Sequence, residues 1–131
     1  MTEQERGCFK HKQLPGSLEL AFVGDSVYDL YVRSSLVTGP CKMNSLNRRA
    51  VEYVNAHAQS ESLKKIEAFL SDEEAEIVRR AKNARQTPTK NAMPFEYHNA
   101  TALEALIGFL YLVKRYDRLF ELLRICVNLE E

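Results

Sequence analysis

The sequence is poor in cysteine and has neither a long apolar run nor an excess of charge of one sign. Its three cysteines, Cys8, Cys41 and Cys126, are scattered, which excludes a disulfide framework and a zinc-binding spacing. The first residues lack the apolar segment of a secretory signal, and no apolar run reaches the ~18 residues that a membrane-spanning helix needs. We therefore expect reduced thiols, a cytoplasmic location and no membrane partner.

The overall charge balance argues weakly against a nucleic-acid partner, because proteins that neutralise phosphates usually carry an excess of lysine and arginine. Here 18 basic residues are matched by 18 acidic ones. The way in which the charges are distributed along the chain must therefore decide whether a nucleic-acid-binding surface exists.

The length of 131 residues and the 45% hydrophobic content are those of one folded domain. Residues 1–16 are polar and end in the turn signal Pro15-Gly16, with Ser17 as a candidate helix cap. We therefore expect a flexible N-terminal tail over residues 1–16 and a single catalytic or binding domain over residues 17–131.

Apolar residues recur at helical spacing through most of this domain, and no segment shows the period-2 alternation of a strand. Ser71 and Glu74 have the spacing of a capping box at the start of one helix. Residues 85–97 contain two prolines and no periodicity, which predicts a long loop. The predicted fold class is an all-α helical bundle, with helices near 18–37, 45–58, 63–70, 72–84, 99–114 and 117–127.

Unpaired acids in the two most apolar helices are the most informative feature of the sequence. Asp25 and Asp29 are the only charges between residues 20 and 32, and Glu104 is the only charge between residues 99 and 113. Asp25 falls on the apolar stripe of its helix, and burying a lone carboxylate is costly unless a cation compensates it.

A glycine accompanies each of these acids: Gly24 precedes Asp25, and Gly108 follows Glu104 by one turn. Glycine is unfavourable inside a helix, so a close approach of the two helices is the expected reason for both. If the helices cross there, Asp25 and Glu104 would share Mg²⁺, with Mn²⁺ as an acceptable substitute, because hard cations prefer oxygen ligands. Such an ion supports phosphodiester hydrolysis.

A second interpretation of these acids stays open at this point. They could pair with an arginine from elsewhere, such as Arg33 or Arg48, or face solvent at a helix end. Asp29 lies one turn beyond Asp25 and is either a supporting residue of the site or an ordinary edge residue, of which we favour the latter.

A basic stretch between residues 77 and 95 carries five cations and no acid. It spans a predicted helix end and the predicted loop, from which side chains could reach the phosphates of an RNA groove. The same cations could simply complement the negative end of the helix dipole. The candidate RNA-binding residues are Arg79, Arg80, Lys82, Arg85 and Lys90.

Three segments, taken together, resemble a known family. LELAFVGDSVYDLYVR (residues 18–33) is similar to the signature helix of ribonuclease III catalytic domains, and ATALEALIGFLYL (residues 100–112) is similar to their second acidic helix. RRAKNARQTPTKN (residues 79–91) looks like the basic region of mini-ribonuclease III proteins, which lack a separate double-stranded-RNA-binding domain. By this resemblance the chain is identified as a mini-ribonuclease III family member.

The resemblance implies a metal-dependent endoribonuclease that acts as a homodimer, with double-stranded RNA lying across the two subunits. Asp25 and Glu104 match the catalytic, Mg²⁺-binding acids of the family motifs. The implied substrate is precursor large-subunit ribosomal RNA, cut to leave 5′-phosphate and 3′-hydroxyl ends, with a ribosomal protein as a further candidate partner.

The sequence departs from the longer ribonuclease III enzymes at two positions. Where those enzymes carry additional acids, this chain has Ala21 and Thr101, which puts the number of bound metals in question. Thr101 could still support the site by holding a water through its hydroxyl. An incomplete acid set also suits a non-catalytic RNA-binding or ribosome-associated module, which is the main alternative. A protein-interaction domain without RNA is disfavoured by the basic stretch.

Overall fold

The computed structural model describes residues 1–84 and 94–129, and all regular structure in them is helical, which confirms the predicted all-α class. Short 3₁₀ turns cover Lys10–Lys12 and Glu67–Phe69. Within these residues no helix has both the length and the apolar character needed to cross a membrane. The helices are α1 (Glu3–Arg6), α2 (Ser17–Leu36), α3 (Met43–Tyr53), α4 (Ala56–Ile66), α5 (Asp72–Lys82), α6 (Pro94–Leu112) and α7 (Tyr116–Cys126).

Helix α6 lies at the centre of the bundle and packs against α2, α4, α5 and α7. Every residue from Ala105 to Leu110 is buried, as expected for a helix that is apolar on all sides. The most extensive contact in the molecule joins α6 to α2. Glu104 on α6 and Asp25 on α2 are thereby placed on the two helices that pack most closely.

The boundary between α3 and α4 differs from the prediction. One helix was expected over residues 45–58, but α3 ends at Tyr53 and α4 begins at Ala56. Asn55 separates them because its side-chain oxygen accepts a hydrogen bond from the Ala58 backbone N–H at 2.9 Å, which caps the new helix. As a result, Gln59 and Ser60 lie inside α4, where both are buried.

The first residues of α5, α2 and α6 test three predictions about where helices begin. The capping box of Ser71 and Glu74 is present at the start of α5, as predicted. Ser17 is not a cap, because Gly16 takes that position without a side-chain hydrogen bond. The loop predicted over residues 85–97 is wrong for residues 94–97, since α6 begins at Pro94, whose fixed φ suits the first turn of a helix.

The N-terminal segment, expected to be a flexible tail, contains α1 and contacts the helical body. Glu5 accepts two hydrogen bonds from the Arg115 guanidinium, at 2.5 and 2.9 Å. Phe9 and Leu14 pack against the core. The division of the chain into a tail and a catalytic domain stays a prediction.

Candidate active site

The backbones of α2 and α6 approach each other at two glycines. A Cβ atom on Gly24 would lie 1.7 Å from the backbone oxygen of Glu104, and one on Gly108 would lie 1.9 Å from the backbone oxygen of Leu20. No side chain fits at either position, so the close helix crossing predicted from the two glycines is confirmed. The crossing brings Asp25 and Glu104 next to each other.

The Asp25 and Glu104 carboxyl groups interact directly. Burial raises the pKa of Glu104 to about 8, and a hydrogen bond with Asp25 and the repulsion by its charge act in the same direction. The burial expected for Asp25 from its place on the apolar stripe is wrong, because Asp25 is exposed. Glu104 is the half-buried member of the pair. Among the described residues, no lysine, arginine or histidine lines the cleft that these two carboxyl groups share.

A cleft of about 540 Å³ opens over these two carboxyl groups, between α2, α4 and α6. Ala21 and Thr101, the two positions at which longer ribonuclease III enzymes carry further acids, both line it. Both positions thus lie in the same cleft as Asp25 and Glu104. In this chain the additional carboxylates are replaced by a methyl group and a hydroxyl group.

Gln59 also lines this cleft and was not predicted from the sequence. Its side-chain Nε2 donates a hydrogen bond to Glu104 Oε2 at 3.5 Å, and this contact opposes the rise of the Glu104 pKa. Nothing in the local pattern of α4 singled out Gln59, because its partner is distant in sequence. The one available signal was a polar residue on the apolar stripe of that helix.

The donor set suits a hard divalent cation. Two adjacent carboxylates, one of them half-buried and with a raised pKa, are stabilised as anions by a cation that oxygen ligands bind well. Within residues 1–84 and 94–129, no group of three or more histidine, cysteine, aspartate or glutamate side chains is arranged to hold a metal. This chain would therefore supply two side-chain ligands, Asp25 and Glu104, and leave other positions to water or substrate.

Asp29 does not join the pair. Its carboxylate accepts a hydrogen bond from Arg33 Nε at 3.1 Å, one turn further along α2. The sequence left open whether the acids of α2 pair with an arginine such as Arg33. Asp29 does so. Asp29, Arg33 and Asp25 line a separate cleft between α2 and α3.

Three of the five candidate RNA-binding residues lie in the described part of the chain, in the last turn of α5. The Arg79 guanidinium forms a bidentate ion pair with the Glu76 carboxylate, with N–O distances of 2.6 and 2.9 Å. The Lys82 ammonium pairs with the Glu67 carboxylate at 3.4 Å. Arg79 and Arg80 are exposed. The basic stretch thus has acidic neighbours that lie outside it in the sequence. The other two candidates, Arg85 and Lys90, lie outside the described residues.

Over the described residues, the all-helical fold and the adjacent carboxyl groups in an open cleft are features of a hydrolase. Comparison with known proteins identifies the family. Residues 18–115 match the family model described as the ribonuclease III domain. The chain is 42% identical to the mini-ribonuclease 3 of Thermoanaerobacter sp. (strain X514) over 116 residues, which cover 87% of this chain and 82% of that protein.

Other relatives agree with this match. The mini-ribonuclease 3 of Kosmotoga olearia (strain ATCC BAA-1733 / DSM 21960 / TBF 19.5.1) is 46% identical over 105 residues, covering 79% of this chain and 72% of that protein. An X-ray crystal structure of a protein from Fusobacterium nucleatum matches with a TM-score of 0.81 and 36% identity, covering 86% of this chain and 93% of that chain. The chain belongs to the ribonuclease III family and resembles its mini-ribonuclease 3 members, so it is a ribonuclease III-type endoribonuclease.

Proposed function

We propose that this protein is a Mg²⁺-dependent endoribonuclease that cuts double-stranded RNA, with Asp25 and Glu104 as its catalytic, metal-binding residues. The observation that carries the proposal is the direct contact of these two carboxyl groups in a cleft where the described residues provide no balancing cation. Family membership supports RNA as the substrate class.

Asp25 on α2 and Glu104 on α6 would hold the ion together in this cleft. When bound, a divalent ion lowers the pKa of water and offsets charge on a phosphate. Glu104 is half-buried in the cleft, which limits its contact with bulk solvent. Its backbone is part of α6, which limits the motion of its carboxylate. Thr101 places a hydroxyl on the same wall and is a supporting residue of the site. Attack of a water oxygen on the phosphorus would break the bond from phosphorus to the 3′ oxygen, which leaves and takes up a proton; the products are 5′-phosphate and 3′-hydroxyl ends.

The cations at the end of α5 are proposed to hold the RNA backbone. Arg79, Arg80 and Lys82 lie on the same helix end, and Arg85 and Lys90 follow in the chain. Arg79 pairs with Glu76 at the exposed surface, and the half-buried Lys82 pairs with the exposed Glu67. Ion pairs at the surface contribute little, so phosphates can displace these acids. Such contacts predict duplex binding that weakens steeply as salt rises.

A second copy of this chain is the proposed partner of an apolar cleft of about 960 Å³ between α2, α6 and α7. Large apolar side chains on its walls face solvent, with Phe22 81% exposed and Leu30 66% exposed. Contiguous exposed apolar surface of this kind marks an interaction site. Phe22 also lines the catalytic cleft, so the dimer contact would adjoin the active site. Two active sites in one dimer suit the two strands of a duplex.

The proposed substrate within this class is a double-stranded stem of precursor large-subunit ribosomal RNA, cut in the cytoplasm during ribosome assembly. The mini-ribonuclease 3 resemblance supports this choice. A ribosomal protein that presents the stem is a further proposed partner, because a chain with no net charge would bind RNA weakly by itself.

The deciding experiment incubates the purified protein with a labelled precursor ribosomal stem, in Mg²⁺, in Mn²⁺ and in EDTA. We expect cleavage with either metal, none in EDTA, and at least a hundredfold lower rate for Asp25→Asn and Glu104→Gln. Asp29→Asn is the matched control on α2, because Asp29 pairs with Arg33 outside the catalytic cleft; its rate should stay within a few-fold of wild type.

The reduced acid set at Ala21 and Thr101 favours one competing function, a non-catalytic RNA-binding or ribosome-associated module. Salt-sensitive binding of the same stem without cleavage in Mg²⁺ or Mn²⁺ would establish that function and refute the endonuclease proposal.

A further inference from the structure

Gln59 is a buried polar residue for which the proposed reaction has so far provided no role. Its side chain is 5% exposed, although glutamine is usually found at the surface. A buried amide is costly unless its donors and acceptor are satisfied. The position of this amide in the wall of the catalytic cleft therefore requires an explanation.

The partner of Gln59 is Glu104, one of the two proposed metal ligands. Gln59 Nε2 donates to Glu104 Oε2 at 3.5 Å, from α4 to α6. A glutamate side chain has three rotatable bonds, and a hydrogen bond at its end limits the orientations that the carboxylate can take. Asp25 contacts the same carboxyl group from α2. Glu104 is therefore held between two neighbouring helices.

The helix that carries Gln59 is firmly attached to α6. Asn99 donates a hydrogen bond to Ser60 Oγ at 2.9 Å, and the His57 ring contacts the Glu96 carboxylate. The backbone N–H of Gln59 itself donates to Asn55 at 2.9 Å in the first turn of α4. The amide thus acts from a rigid support rather than from a loop.

We propose that Gln59 is a positioning residue that holds the Glu104 side chain in the orientation in which Glu104 and Asp25 bind one divalent cation. This inference rests on the proposed function. It assigns Gln59 no contact with the RNA and no proton transfer. Groups that orient a metal ligand through a hydrogen bond usually change metal affinity by 10- to 100-fold when removed.

The test is the affinity for Mn²⁺ in the absence of RNA, measured by calorimetric titration of wild type and Gln59→Met. Methionine has a similar length and is unbranched, so it keeps the packing and removes the hydrogen bond. We expect Mn²⁺ binding about tenfold weaker, and a Mg²⁺ concentration for half-maximal cleavage raised by a similar factor, with KM for RNA at saturating Mg²⁺ unchanged.

Ser62→Ala is the matched control. Ser62 is also 5% exposed on α4, but its hydroxyl bonds to Tyr28 and to the Cys126 carbonyl rather than to the acids. This variant should lose thermal stability and retain wild-type Mn²⁺ affinity, which separates a positioning effect from general loosening of α4.

Wild-type Mn²⁺ affinity in Gln59→Met, or equal weakening in Ser62→Ala, would overturn the inference while leaving the endonuclease proposal intact. If Gln59→Met did not fold, Gln59→Asn would decide in the same way, since its shorter amide cannot reach Glu104. A wild-type protein that neither binds Mn²⁺ nor cleaves would refute the proposed function and this inference together.

Discussion

Gly24 sits where the Glu104 backbone leaves no room for a side chain, and the two candidate ligands are neighbours for that reason. In an ordinary exposed helix position, alanine would be more favourable than glycine by about 1 kcal/mol. Here a methyl group would overlap a carbonyl oxygen of the facing helix. A single hydrogen atom in place of a methyl group therefore determines how close Asp25 and Glu104 can come.

We expect Gly24→Ala to lower the free energy of unfolding by about 3 kcal/mol or more, because the facing atom is backbone and cannot rotate away. Any folded fraction should bind Mn²⁺ poorly, since the helices must separate. Urea denaturation measures the stability. Gly39→Ala is the control, because no atom lies within 4 Å of its added Cβ, and its stability should change by less than about 0.5 kcal/mol. Equal stability of the two variants would contradict the close crossing.

At the scale of elements, α1 is attached to the start of α7 by the ion pair of Glu5 and Arg115. The Arg115 hydrogen bonds lower the pKa of Glu5 from 4.5 to about 2, aided by a backbone hydrogen bond at Thr2. Arg115 also pairs with Glu73 on α5 at 2.7 Å and stacks over the Phe109 ring, with its guanidinium carbon 5.1 Å from the ring centre. One guanidinium group thus joins four helices.

The lowered pKa of Glu5 determines how its contribution to stability changes with pH. The folded state holds Glu5 ionised more strongly than the unfolded state does, so this stabilisation is complete above about pH 4.5 and is lost as the pH falls towards 2. We expect Glu5→Gln to lower the melting temperature at pH 7 by a few degrees, and the difference from wild type to shrink between pH 4.5 and 2.

The control is Glu3→Gln on the same short helix, whose carboxylate is exposed and pairs with Lys12 at 3.4 Å. Exposed pairs contribute little, so its melting temperature should follow that of wild type at every pH. If the difference in melting temperature between Glu5→Gln and wild type did not change with pH, Glu5 would act by packing and not by its charge.

In the whole molecule, two of the clefts next to α2, the one over Asp25 and Glu104 and the apolar one between α2, α6 and α7, are proposed to serve different partners. The proposed catalytic cleft carries Asp25 and Glu104, and the larger apolar cleft presents Leu30 and its neighbours to solvent. A monomer would leave this apolar surface in water, and covering it with an identical chain removes that cost.

We expect Leu30→Asp to convert a dimer to a monomer, because a charge placed in a buried apolar contact is unfavourable. Light scattering after size exclusion measures the mass. Met43→Asp is the control, since Met43 is 66% exposed, as Leu30 is, but lies on α3 outside the apolar cleft. A monomeric wild type, or a dimeric Leu30→Asp variant, would contradict the proposed interface.

Local patterns predicted well those features that depend on neighbours in the sequence. Helical periodicity predicted the all-α class, and the spacing of Ser71 and Glu74 predicted the start of α5. The break between α3 and α4 was not predicted, because the apolar stripe continues past Asn55. The Asn55 side chain nevertheless caps a new helix there. Pro94 was taken as a loop residue, although the first turn of a helix accepts proline without loss of a hydrogen bond.

Composition and spacing alone place Asp25, Asp29 and Glu104 in two apolar helices, with a glycine next to Asp25 and another one turn after Glu104. These features are visible without the fold because they are properties of the chain. The neighbour that each acid contacts depends on how the helices pack: Asp29 pairs with Arg33, and Glu104 contacts Asp25 and Gln59. Gln59 and Glu104 lie on different helices, far apart in the chain, so no local pattern could reveal their contact. Packing of α2, α4 and α6 around one crossing point produces it.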